Sequence, residues 1–188
     1  MLLGLAAPAI VASAAVVAVL ACRSPFIAHL RVARDGKPFW MLKLRTMWPP
    51  DRQASSGEWI DRVIADPEAD GKDARDPRVT SRFAAFCRRH SIDELPQLWH
   101  VARGEMSLVG PRPLTHAEIE RYYADDAAEL LSVKPGLTGL WQIGGRSAIR
   151  FPRRARLDLE LIRTLTLKTY LKILARTIPA IIFGNGAW

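Results

Sequence analysis

The sequence predicts a mixed α/β fold that is predominantly helical: an N-terminal membrane-inserted helix, then one small domain with amphipathic helices at the membrane surface. Three observations point there. Residues 1–22 carry no charged side chain. Residues 156–182 repeat apolar and basic side chains at helical spacing. Strand-like stretches are few and short, at residues 39–47 and 106–109. A length of 188 residues suits one compact domain with appendages.

Composition narrows the function classes. Lys and Arg number 27 against 19 Asp and Glu, a net charge of +8, and 49% of residues are hydrophobic. Such an apolar fraction excludes a disordered chain. A single uncharged stretch excludes a polytopic transporter. The basic excess calls for an anionic partner: nucleic acid, a membrane face or a phosphorylated substrate. Two lone cysteines, Cys22 and Cys87, do not make a disulfide scaffold, which fits a reducing, cytoplasm-facing domain.

As one helix, residues 1–22 would measure about 33 Å, the hydrocarbon thickness of a bilayer. A signal peptide needs a positive segment ahead of its apolar run, and nothing basic precedes Leu2. Pro8 removes one intrahelical hydrogen bond and kinks a helix. A kinked helix can span, or enter and leave by one leaflet, so topology stays open at this point. Arg23, Arg31, Arg34 and Lys37 flank the run and place the remainder of the chain on the cytoplasmic side.

Residues 39–47 (FWMLKLRTM) read as a strand or buried turn. Residues 51–76 are polar and hold Pro67 and Gly71, a loop with one short helix over 58–64. Residues 81–90 form a basic helix and 91–103 another. Residues 106–109 form a short strand, 115–133 a helix, and 134–146 a glycine-rich turn region. In the last helical stretch Leu167, Leu171, Leu174 and Ile178 share one face, and Lys168, Lys172 and Arg176 a second. Such a helix lies in the membrane interface or packs on the domain core. The uncharged N-terminal run favours the membrane.

Three clusters could carry chemistry. Ser91-Ile92-Asp93-Glu94 has the pattern of a capping box. The same residues also suit a phosphate site, with Arg88 and Arg89 adding positive charge and two carboxylates able to divide labour as nucleophile and Mg²⁺ ligand. Those electropositive surroundings would keep both carboxylates ionised. Arg112 stands between Pro111 and Pro113, which stiffen its backbone for bidentate contact with phosphate; the alternative is an exposed turn arginine. Residues 135–146 bring glycines, Gln142 and Arg146; Trp141 reads as a core side chain or a ring-stacking platform.

Taken together, DGKPFWMLKLRTM (35–47), DPRVT (76–80), SIDELPQL (91–98), GEMSLVGPRP (104–113), KPGLTGLWQIGGR (134–146) and ILARTIPAIIFGNGAW (173–188) closely resemble the small monotopic phosphoglycosyl transferases, the bacterial sugar transferases. The likeness spans nearly the whole chain. It implies a re-entrant membrane helix hinged at Pro8 over residues 1–30 and a catalytic domain over 31–188, at the cytoplasmic face of the bacterial inner membrane. It implies transfer of a sugar phosphate from a UDP-sugar to polyprenyl (undecaprenyl) phosphate, releasing UMP and starting exopolysaccharide or glycoconjugate assembly. Asp93 would be the nucleophile, through a covalent phosphosugar intermediate, and Glu94 the Mg²⁺ ligand. Arg88, Arg112, Arg146, Lys43, Arg45 and Gln142 would contact phosphate or nucleotide. Membrane lipids are expected partners, nucleic acid is not, and a homo-oligomer is allowed.

The resemblance has gaps. Ala7 stands where the family has a serine before the hinge proline, and the usual basic residues ahead of the apolar segment are missing. Ala84 replaces a glycine, residues 80–88 run one residue longer, Tyr170 replaces an aspartate, and Leu161 or Ile162 a tyrosine. These touch membrane docking and substrate contacts, not the Asp93–Glu94 pair. The competing reading is a non-catalytic basic protein that binds lipid at the membrane surface.

Overall fold

The computed structural model describes residues 2–21, 24–47, 79, 81–145 and 148–184. The helix expected over 58–64, most of DPRVT, Arg23 and Arg146 lie outside the described residues.

Helix α1 (Leu2–Ala21) is helical at every position, with Pro8 inside it. Among the described residues it is the one helix long and apolar enough to cross a membrane, with a mean hydropathy of 2.4 over Leu2–Leu20. A narrow stripe of Ser13, Ala14 and Val17 is buried, whereas Leu5, Val11 and Val19 are exposed. A helix this apolar has no reason to leave most of its surface open in water.

Strands β1 (Phe26–Val32) and β2 (Pro38–Leu44) form an antiparallel hairpin in which Ile27 faces Lys43 and His29 faces Met41. Thus residues 26–30, which the sequence reading grouped with the membrane helix, are strand. The turn uses Asp35 and Gly36, both at positive φ (62° and 73°), as a tight hairpin turn requires. Alternation sends Ile27, His29 and Arg31 to one face, while Phe26, Ala28 and Leu30 stay exposed on the other.

Helix α2 (Arg82–Arg89) begins at Ser81, whose hydroxyl accepts from the Ala84 amide at 3.0 Å. Ser91 then adopts left-handed backbone (φ 54°) and turns the chain into a 3-10 segment, Ile92–Gln97, followed by α3 (Leu98–Ala102). The sequence predicts one helix here. Pro96 lacks the N–H that an α-helical ladder needs, and the tighter winding takes over. The Ser91–Glu94 capping box does not form either. A capping serine needs extended backbone, the Ser91 side chain makes no cap bond, and Glu94 turns to Lys43.

Strand β3 (Ser107–Val109) precedes α4 (His116–Tyr122), which opens with a true capping box between Thr115 and Glu118. The helix expected over 115–133 breaks at Tyr123 (φ −125°) and Ala124–Asp126 before α5 (Ala127–Leu131). The stretch expected to be only turns holds strand β4 (Gly136–Thr138) and helix α6 (Leu140–Gly144). β4 forms because β3 supplies a parallel partner, Ser107 opposite Gly136 and Val109 opposite Thr138. A partner 29 residues away leaves no local pattern to read.

The C-terminal helical stretch is two helices, α7 (Phe151–Thr164) and α8 (Leu167–Phe183), separated at Leu165 and recapped by Thr166 on the Thr169 amide. One core gathers Val32, Leu114, Ile119, Tyr123, Leu130, Phe151, Ala155 and Leu159. A second packs Val109, Leu161 and Ile173, and a third ties Phe39 and Met41 to Met106. α8 buries Ile173, yet Leu167, Leu171, Ile178 and Ile182 are exposed. The apolar stripe seen in the sequence therefore faces outward, as an interfacial helix requires; only Leu174 of that stripe packs inward.

Candidate active site

The site forms where three long-range pairings converge. β2 packs on the 3-10 segment, which also touches α1. The β3–β4 pairing sets residues 110–113 beside 136–142: the Gly110 amide donates to Thr138 O at 3.0 Å and the Gly136 amide to Pro111 O at 2.7 Å. A cleft opens between these parts. Lys43, Glu94, Gln97, Arg112 and Gln142 give it polar walls, with Met41 and Leu137 among its apolar ones.

Lys43 Nζ donates to Glu94 Oε1 at 2.8 Å. Asp93, beside Glu94, is only 8% exposed. Burial raises its pKa to about 6, the Glu94 charge adds to that, and Lys43 and Arg88 pull the other way. Desolvation and carboxylate repulsion thus outweigh the cations that the sequence reading expects to keep both carboxylates ionised. Cys87 lies against it as a buried free thiol, pushed up to about 11 by burial and by Asp93.

Arg112 extends over the Trp141 ring at 5.6 Å, and Arg154 lies over the same ring at 5.0 Å. Trp141 is thus both a core side chain, at 5% exposed, and the platform that aims Arg112. Beneath them Asp158 is buried and accepts from the Tyr123 hydroxyl at 2.9 Å. Its second oxygen has no hydrogen-bond partner. Burial raises the Asp158 pKa to about 7 against the Tyr123 bond, the nearby Arg112 amide and the charges of Arg112 and Arg154.

That carboxyl makes a measurable contribution to pH dependence. The folded protein keeps its proton up to about pH 7, whereas the unfolded chain releases it near pH 4. Its stabilisation is therefore complete below about pH 4, is lost as pH rises toward 7 and is flat above. Denaturant midpoints of solubilised protein should show this fall, at up to about 1.4 kcal/mol per pH unit. Asp158→Asn, which still accepts from Tyr123, should remove it; an identical slope in the variant refutes the assignment.

The remaining expected residues divide. Lys43, Glu94, Arg112 and Gln142 meet at the cleft. Arg88 acts on Asp93 and donates to Met47 Sδ at 3.0 Å. Arg45 does not line the cleft: its Nε donates to Ser24 O at 2.9 Å, fastening the hairpin base. Arg146 lies outside the described residues, and Pro8 lies in α1. Three residues were missed. His29 sits among Arg31, Lys43, Arg112 and Arg45 and is held neutral, its pKa lowered to about 4 first by burial and then by these cations. Asp158 and Gln97 are the others; Gln97 had a signal, four residues after Asp93 within DELPQ.

The whole of this geometry falls within residues 1–184, which match the profile of the bacterial sugar transferases. The chain belongs to that family. It is 42% identical over 172 residues to the UDP-galactose-lipid carrier transferase of Erwinia amylovora, a match covering 88% of this chain and 35% of the relative. It is 39% identical over 170 residues to exopolysaccharide production protein ExoY of Rhizobium meliloti (88% and 73%). It is 38% identical over 180 residues to the UDP-glucose:undecaprenyl-phosphate glucose-1-phosphate transferase of Caulobacter vibrioides (88% and 60%). The chain spans about a third of the length of the first of these relatives. In this family member Glu94, the Pro-Arg-Pro segment and the Gly-rich segment line one cleft, and Asp93 is buried next to Glu94 behind that lining.

Proposed function

We propose that this chain transfers a sugar phosphate from a UDP-sugar to polyprenyl phosphate at the cytoplasmic face of the bacterial inner membrane. The observation that carries the reading is the buried Asp93 carboxylate beside a cleft walled by Lys43, Glu94 and Arg112. Phosphoryl transfer needs positioning and charge neutralisation more than elaborate covalent machinery. A non-catalytic lipid binder has no use for a carboxylate desolvated beside a second one.

In the proposed reaction an Asp93 oxygen attacks the phosphorus that bears the sugar. The bond from that phosphorus to the bridging oxygen breaks, and UMP leaves with the oxygen. A phosphate oxygen of the polyprenyl phosphate then attacks the same phosphorus. The Asp93–phosphorus bond breaks, the carboxylate is regenerated, and polyprenyl-diphospho-sugar departs. Arg112, braced on Trp141, and Lys43 offset the diphosphate charge.

The donor set also fits Mg²⁺. That ion is held by one or two carboxylates together with substrate phosphates rather than by an all-protein cage. Among the described residues there is no group of three metal-ligating side chains, but two adjacent carboxylates, one of them raised in pKa by burial and then by the other's charge, would welcome a divalent cation. Glu94 would hold it, and the ion would supply charge neutralisation at the diphosphate.

Membrane attachment gives the lipid substrate its route. α1 packs against the 3-10 segment that carries Asp93, and α8 turns Leu167, Leu171 and Ile178 outward. We take α1 as the membrane anchor, re-entrant at Pro8, and α8 as an interfacial helix.

The test is the identity of the nucleotide released. Membranes holding the protein, given UDP-glucose or UDP-galactose, Mg²⁺ and undecaprenyl phosphate, should release UMP in a lipid-dependent manner. Release of UDP would mean glycosyl transfer and would overturn the reading.

A further inference from the structure

We propose that Gln97 and Gln142 together grip a hydroxyl group of the transferred sugar, and so set which donor this enzyme accepts. The inference deepens the transferase reading and rests on it. Both side chains line the cleft that also holds Lys43, Glu94 and Arg112. Gln97 is 3% exposed, yet its Nε2 has no hydrogen-bond partner. Gln142 Oε1 is likewise buried and unpartnered. Leaving a buried amide donor and a buried carbonyl acceptor unsatisfied costs free energy. Two such atoms on one ligand cleft mark groups held ready for something that binds there.

Their chemistry selects the ligand group. Gln97 offers a donor and Gln142 an acceptor. A phosphate supplies acceptors only and would leave Gln142 Oε1 unpaired; Lys43 and Arg112 already serve phosphate. A sugar hydroxyl accepts from one amide and donates to the other. Position selects which sugar. Gln97 lies one turn beyond Asp93 and Glu94 on the same 3-10 segment. Asp93 addresses the phosphate that bears the sugar, so the groups nearest to it belong to that sugar. The ribose lies beyond a second phosphate.

Burial rigidifies this grip. Gln97 sits within the packed 3-10 segment, and Gln142 stands on α6 next to Trp141, whose ring both Arg112 and Arg154 approach. A pair so placed discriminates by leaving its own atoms unpaired when the hydroxyl is missing.

The experiment measures kcat/KM for UMP release with UDP-glucose, UDP-galactose and their deoxy-sugar analogues, in the unsubstituted protein and in Gln97→Leu and Gln142→Leu. Inhibition by UMP is measured alongside, with a melting temperature for each variant. The unsubstituted enzyme should reject one deoxy donor by about tenfold or more relative to its parent sugar. Both variants should erase that preference while UMP inhibition is unchanged. Equal losses for every donor assign the amides to phosphate or to packing and overturn the proposal. Weakened UMP inhibition assigns them to the nucleotide and also overturns it. No UMP release from the unsubstituted protein with any donor removes the transferase reading itself, and this inference with it.

Discussion

Asp93→Asn should abolish UMP release, by about 10⁴-fold or more, the scale on which removing an attacking side chain acts. Asn keeps the size and polarity of the buried side chain but carries no anion to attack phosphorus. Because Asp93 is buried and raised in pKa, the neutral amide is not expected to unfold the segment; it removes a desolvated charge and its repulsion with Glu94. The loss should therefore appear in turnover with the melting temperature held or raised. A second readout tests the covalent step. Without lipid acceptor, the unsubstituted enzyme should release at most one UMP per chain and retain the sugar phosphate on Asp93, and the variant should retain none. Undiminished UMP release by the variant removes Asp93 as nucleophile.

Gly136→Ala should dismantle the cleft by a different route. A Cβ at Gly136 would lie 2.6 Å from Gly110 Cα and 2.7 Å from Gly110 O. Those are backbone atoms of the residue that follows the paired strand β3, and they cannot rotate aside. The Gly136 amide bond to Pro111 O and the Gly110 amide bond to Thr138 O sit on either side of this contact. Forcing the strands apart should cost about 3 kcal/mol or more, the range of severe overpacking. It would also displace Arg112 and Gln142 together, since each lies shortly after one of the two strands. Thermal unfolding and UMP release should fall in parallel. Ala substitution at Gly4, a helical position where nothing lies within 4 Å, provides the control: its stability should be held or slightly raised, because Ala favours a helix over Gly. A Gly136→Ala protein as stable as the unsubstituted one would show that the β3–β4 contact does not set the site.

Much of the site was legible in the sequence because its motifs are contiguous. Asp93 and Glu94 are neighbours, Arg112 is fixed between prolines, and α1 announces itself by an uncharged run. What could be read were properties of the local chain: charge, periodicity, proline and glycine. The hairpin was legible too, through Asp35-Gly36 between two apolar stretches, but the basic flank of the long apolar helix drew the reading elsewhere. The capping box at Ser91 shows the converse. Its pattern was present, and a left-handed Ser91 with a lysine partner for Glu94 overrode it.

The sequence alone determined the long apolar helix, the basic character of the chain, the carboxylate pair and the separate apolar and basic faces of α8; that the apolar stripe turns outward was decided by the fold. Tertiary structure decided that Lys43 would reach Glu94, that Trp141 would brace Arg112, that β4 would exist at all, and that Gln97 would be buried with its amide unpaired. The physical reason is range. Helix periodicity and capping act over a few residues, so they are written in order along the chain. Burial and pairing join residues 43 with 94, 107 with 136 and 123 with 158, and no local stretch carries both partners.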